Sequence, residues 1–191
     1  MRLLVGIFLA FAVAALVGLG ATWQALSRST AFGALHSGAW TAWPKSGTAD
    51  IDPYARAVLA RSGALPLSSG DGVAFFARTD DTGRRIDGRC DVTLRGTTPQ
   101  ARFWTLTLYG TEGQLVPNTV NRYGFTSQEI VRKADGSFEI TAAPRARAGN
   151  WLPTGGLDSY ILVLRLYDTP VGIATRAGRE AQMPTIGMTC P

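Results

Sequence analysis

YILVLRLY, residues 160–167, decides how this chain is read. Side chains alternate along a strand, so Tyr160, Leu162, Leu164 and Leu166 share one wholly apolar face, and Ile161, Val163, Arg165 and Tyr167 share the other. Two largely apolar faces predict a central strand. The one guanidinium among them, Arg165, needs an anion or several acceptors if it is buried. RFWTLTLY, residues 102–109, repeats the pattern, with Trp104, Leu106 and Leu108 on one face and Phe103, Thr105, Thr107 and Tyr109 on the other.

Outward from these two stretches, turn clusters recur at short intervals: DDTG from Asp80, GTTP from Gly96, GTEG from Gly110, ADG from Ala134 and PTGG from Pro153. Between them lie further strand candidates, VAFFAR from Val73, CDVTLRG from Cys90, EIVRK from Glu129 and SFEITAA from Ser137. Many short strands with regular turns and no strand–helix–strand rhythm predict a mainly β chain, an antiparallel β-sandwich or jelly-roll-like domain over residues 51–191. One short helix is expected near residues 53–62, with Asp52 as its cap, Pro53 at its first position, Gly63 as its stop, and Tyr54, Val58 and Leu59 laying it across the domain. Residues 27–50 carry Ser, Gly, Thr, Ala and two tryptophans with little periodicity, and read as a linker that partly packs.

The chain has 191 residues, enough for one ordinary domain and an appendage. That appendage is residues 1–26. Leu3 to Leu26 holds no charged residue over 24 positions, against the roughly 20 that a helix needs to cross a bilayer. Arg2 precedes the run and Trp23 falls where an interfacial aromatic sits, so the expected topology is a single-pass anchor in the inner membrane, partnered with lipid through residues 3–26, with the body in the periplasm. A cleaved signal peptide is the competing reading, although no A-x-A triplet ends the run.

Cys90 and Cys190 have no partner at metal-ligand spacing and read as one disulfide, which suits an exported domain. Closing a loop of ~100 residues stabilises by about 4 kcal/mol in the chain-entropy account. The formal net charge is +5, with 17 arginines and 2 lysines, but no basic run reaches the length of a nucleic-acid arm. A solvated basic surface is expected, and nucleic acid is not an expected partner.

Chemistry-bearing motifs are sparse. G-x-S-x-G, H-E-x-x-H, C-x-x-C and a phosphate-binding loop are all absent from the sequence, and His36, the only histidine, sits in the linker. Asp80, Asp81, Asp87 and Asp91 cluster where carboxylates bond to turn backbone. Neither cofactor nor metal is expected. The remaining candidates flank two loops: LVPNTVNRYG supplies Asn118, Asn121, Arg122 and Tyr123, and GNWLP supplies Asn150 and Trp151. As framework, the amides satisfy loose backbone; as a pocket, Arg122 and Arg165 hold an anion between walls of Trp151, Tyr123 and Trp104.

These residues also carry a resemblance. ARFWTLTLYGTEGQLVPNTVNRYGF, then GNWLPTGG, YILVLRLYDTP and a closing MPTI resemble the domain of unknown function family 1214, in particular its short bacterial members with an N-terminal membrane segment. The resemblance implies an antiparallel β-sandwich that in longer relatives follows a second domain, and no established activity. It places Trp104, Tyr109, Pro117, Asn118, Asn121, Arg122, Tyr123, Asn150, Trp151, Leu152, Pro153, Arg165 and Tyr167 on the family pattern.

The expected role is a non-catalytic module that binds a ligand or partner at the envelope. The rivals are an enzyme, a hydrolase or carbohydrate-active protein, with Glu112 or Asp158 as its acid or base, and an accessory subunit that meets another membrane protein or a second copy of itself.

Overall fold

The computed structural model describes residues 1–27, 33–62, 65–68, 70–172 and 181–190. An apolar helix, α1 (Arg2–Ser27), leads into two sheets. By length and composition α1 can cross a membrane, with a mean hydropathy of 2.7, a form that anchors and signal sequences share. The six-stranded sheet orders its strands β1 (Leu35–Ser37), β2 (Trp40–Ala42), β3 (Gly72–Ala77), β9 (Tyr160–Tyr167), β5 (Phe103–Gly110) and β6 (Gly124–Thr126). The four-stranded sheet runs β10 (Thr185–Thr189), β4 (Asp91–Gly96), β7 (Phe138–Ala143) and β8 (Asn150–Pro153).

The decisive stretch is a central strand, as its pattern predicts. β9 pairs with β3 on one side and with all of β5 on the other. Leu162, Leu164 and Leu166 pack with Trp104, Leu106 and Leu108 against Leu94, Phe138, Ile140 and Leu152 of the second sheet, forming one core between the layers. The Trp104 and Phe138 rings lie 5.2 Å apart across that core. Burying such side chains stabilises by about 1.5–3 kcal/mol each, and this drives the two apolar faces together.

The edges of the layers are stitched by side chains. Trp40 donates its indole N–H to the Pro184 carbonyl at 2.7 Å, holding β2 over the start of β10. Asp81 accepts from the Ile186 amide at 2.8 Å and from the Ala39 amide at 3.3 Å. Cys90 and Cys190 form a disulfide across a sequence separation of 100, one register step beyond the Thr189–Asp91 pair. Of the acidic cluster, Asp80, Asp81 and Asp87 lie in the turns and connections between β3 and β4, whereas Asp91 is the first residue of strand β4 rather than turn structure. Asp80 accepts from the Thr82 and Arg84 amides, Asp87 accepts from the Arg89 amide, and Asp91 pairs with Arg147 at 2.7 Å.

Several expectations are revised. The segment expected as a linker contributes β1 and β2, and Leu35, Trp40 and Ala42 are buried in the core. EIVRK forms no strand: residues 127–129 turn, and only Arg132 bridges to Phe138. The GNWLP segment is the strand β8 rather than a loop, and it pairs in parallel with β7, the one parallel pair among otherwise antiparallel ladders of the described residues. Helix α2 (Pro53–Ser62) matches its predicted span, with the Asp52 carboxylate capping the Tyr54 and Ala55 amides at 2.9 and 3.2 Å. It meets α1, where Arg61 stacks 4.6 Å from the Trp23 ring, and Val58 and Leu59 are half-buried while Tyr54 is exposed. Gly63, the expected stop, lies outside the described residues.

Candidate functional site

After β5, a tight turn at Gly110–Gln114 reverses the chain, and Pro117, which has no N–H to donate, follows the Tyr109–Leu115 bridge. Asn118 then organises the loop. Its Nδ2 donates to the Arg122 carbonyl at 2.9 Å and the Val116 carbonyl at 3.2 Å, and its Oδ1 accepts from the Arg122 amide at 3.0 Å. Closing the loop this way places Asn121 at φ 51, in the left-handed region that asparagine tolerates better than other side chains with a Cβ.

Arg122 leaves this loop across the open edge of the sandwich. Its guanidinium lies 5.4 Å from the Phe125 ring on β6 and donates from Nη1 to the Trp151 carbonyl on β8 at 3.0 Å. The expected neighbours Arg122 and Trp151 are therefore brought together, joining the edge strands of the two sheets. Tyr123 is half-buried, and its carbonyl accepts from the Leu108 amide at 3.0 Å. Trp151 donates its own indole N–H to the Ala143 carbonyl at 3.0 Å. Asn150 is buried, and its amide bonds both backbone groups of Val131 and the Glu139 carbonyl, all at 2.9 Å.

Arg165 lies elsewhere. It points from the middle of β9 to the outer side of the six-stranded sheet, while Trp104, foreseen as a wall beside it, is buried between the sheets. Arg165 donates from Nη1 to the Tyr109 hydroxyl at 3.2 Å, with its guanidinium carbon 5.4 Å from that ring. Among the described residues no carboxylate pairs with it. The seven candidates thus divide into an edge group, Asn118, Asn121, Arg122, Tyr123, Asn150 and Trp151, and Arg165 on an outer face.

That outer face has a composition of its own. Register sets Thr41, Phe76, Val163 and Thr107 in one row, and Ala74, Arg165, Thr105 and Thr126 in the next. Trp43 meets Phe76 and Phe103 meets Tyr167, each pair with ring centroids 5.8 Å apart. Arg78 lies 5.7 Å over the Phe76 ring. None of the six strands contains an Asp or Glu. The four-stranded sheet differs: Arg95 and Lys133 pair with Glu139 at 3.2 and 3.3 Å, so charges of both signs meet water there.

Phe76 and Trp43 escaped the sequence reading as members of this face, because strand order alone sets Phe76 beside Val163 and brings Trp43 onto Phe76. The available signal was the absence of acidic residues from every strand of that sheet. Glu112 and Asp158, the nearest acid or base candidates, are exposed in turns and bends.

A solved structure, the VPA0106 protein from Vibrio parahaemolyticus, is similar at a TM-score of 0.57 and 22% identity, over 73% of this chain and 36% of its own. An uncharacterised protein from Burkholderia cenocepacia aligns over 92% of this chain and 51% of its own, at 17% identity and a TM-score of 0.45. The chain therefore spans 36% and 51% of the lengths of these two proteins. The likeness to the Vibrio protein shows a shared fold. No curated protein matches the chain. The family model described as "Protein of unknown function (DUF1214)" matches residues 71–171, more than half of the chain.

Proposed function

Because the chain belongs to the DUF1214 family, described only as proteins of unknown function, we propose from its own geometry a non-catalytic binding module that takes an anionic ligand on the outer face of the six-stranded sheet. In this reading α1 anchors the module in the inner membrane and the β-domain stands in the periplasm. The disulfide supports an oxidising compartment. The observation that carries the binding role is Arg165: a half-buried cation at the centre of a face without carboxylates.

A guanidinium partly withdrawn from water gains from an anion that replaces the lost hydration, and the Tyr109 hydroxyl supplies only one acceptor. Around it, Phe76, Val163, Tyr109, Phe103 and Tyr167 offer apolar and aromatic contact. A ligand joining one acidic group to an apolar body fits that combination. The edge group supports a different role, since the amides of Asn118 and Asn150 and the indole of Trp151 are engaged with backbone.

The test is calorimetry of the full chain in zwitterionic-lipid nanodiscs, titrated with naphthalene-2-sulfonate against empty nanodiscs. Saturable heat that disappears in Arg165→Gln and persists in Arg122→Gln is expected. No saturable heat from the unaltered chain, or heat that persists in Arg165→Gln, overturns the assignment.

A further inference from the structure

The contact between Trp23 and Arg61 joins α1 to a helix that sequence reading laid across the β-domain. Trp23 stands near the end of α1 and is 60% exposed, and the Arg61 guanidinium sits 4.6 Å from its ring centroid. If α1 spans the bilayer, an aromatic at that position lies at headgroup depth, and a guanidinium stacked on it lies beside lipid phosphates. Resting on that anchoring, we infer that α2 is a membrane-surface helix, whose arginines engage anionic phospholipid headgroups and hold the β-domain in a fixed orientation against the bilayer.

Chain length limits the alternatives. Residues 28–34 between α1 and β1 span at most about 25 Å when fully extended, so β1 stays within that reach of the end of α1, and the Arg61–Trp23 contact holds α2 beside it. The half-buried positions of α2, Ala55, Val58 and Leu59, follow i, i+3, i+4 spacing and turn one side of the helix inward. Arg56, Ala57, Ala60 and Arg61 remain exposed, and Leu65 beyond the helix is 95% exposed. Arg56 and Arg61 are the only charged residues within α2. The nearby Asp52 carboxylate is held by the cap, which leaves Asp50 as the one other acidic group just before the helix. Each basic residue near an anionic surface contributes attraction that falls off within a Debye length, so the short tether makes these charges effective.

The opposite end of the same sheet supplies a control. Glu112 lies in the turn after β5, away from the end where α2 enters β3. The experiment places a nitrobenzoxadiazole label at Ala57→Cys or Glu112→Cys in the full chain, in vesicles of phosphatidylcholine with or without phosphatidylglycerol. Quenching by headgroup-spin-labelled lipid and resistance to alkaline carbonate extraction are both read. Expected are strong quenching at position 57, further quenching with phosphatidylglycerol, loss of that increment in the Arg56→Glu/Arg61→Glu double variant, and little quenching at position 112. Equal quenching at 57 and 112 in a carbonate-resistant chain overturns the inference and leaves anchoring standing. So does quenching at 57 that ignores both phosphatidylglycerol and the double variant. Extraction by carbonate overturns the anchoring, and the inference with it.

Discussion

Asn150 reads the peptide groups of Val131 from both sides: its Oδ1 accepts from the Val131 amide and its Nδ2 donates to the Val131 carbonyl, each at 2.9 Å. The same Nδ2 donates to the Glu139 carbonyl, so one side chain fastens the irregular segment before β7 to the start of β8. Within the segment that fails to form a strand, Val131 obtains its hydrogen bonds from this amide, while Arg132 bridges to Phe138 and the Lys133 amide donates to the Ser137 carbonyl.

Replacing Asn150 by Ala therefore leaves three backbone groups without this partner. Each buried group left unpaired costs about 1–3 kcal/mol. The expected outcome for Asn150→Ala is a loss of roughly 3 kcal/mol in urea unfolding, with Asn150→Asp also impaired because a carboxylate cannot donate to the two carbonyls. An unchanged unfolding midpoint in both variants would contradict this role.

Tyr160 behaves in the opposite sense. Its ring is buried in the core, and its hydroxyl has no hydrogen-bond partner among the described residues. Tyr160→Phe should stabilise by about 1 kcal/mol, since removing an unsatisfied buried hydroxyl removes its desolvation cost. Burial, with added repulsion from Asp91 and Asp87, pushes the phenol well above its ordinary value of 10.0. A raised value means that the neutral phenol favours the fold below about pH 10 and that this contribution is lost as pH rises further. The Tyr160→Phe chain should accordingly resist alkaline unfolding better, as read by circular dichroism through that range.

Asn121 separates backbone strain from side-chain contact. At φ 51 a β-branched residue is strained, whereas glycine is not. Asn121→Val is expected to cost about 1–2 kcal/mol and Asn121→Gly to be close to neutral. Equal loss in the two variants would mean that the asparagine side chain matters more than its backbone conformation.

Acid should unfold the domain through its turns. Hydrogen bonding from the Arg89 side chain and amide holds the Asp87 carboxyl down at about 2. Burial alone would raise Asp80, but bonds from Thr82 and Arg84 outweigh it and hold the group low, and the Ser137 hydroxyl and amide do the same for Asp135. Depressed carboxylates contribute stability that is present above their unfolded value near 4 and lost as pH falls through the folded one. Thermal midpoints should be flat above about pH 4 and fall toward pH 2. Asp87→Asn should reduce that slope, and a slope unchanged by it would remove Asp87 from the account.

Much of this protein is written in local signals. Alternation in YILVLRLY and RFWTLTLY is enough to identify two core strands and to sort their faces, because a strand's period of two is a property of the backbone alone. Asp52, Pro53 and the run after them mark α2 for an equally local reason, the unsatisfied amides of a helix start. The apolar run from Leu3 and the two cysteines likewise need no neighbours to be read. What neighbours decide is different in kind. The parallel pairing of β8 with β7, the recruitment of β1 and β2 to a sheet edge, and the hold of Asn150 on Val131 arise from contacts between segments distant in sequence. The same holds for the site: Arg122 precedes Tyr123 and Arg165 lies two residues before Tyr167 in the sequence, and only the arrangement of the strands sends one across the edge between the sheets and the other to an outer face. Side-chain type is local chemistry, but its surroundings are set by which strands lie side by side, and that choice belongs to the burial of the whole core.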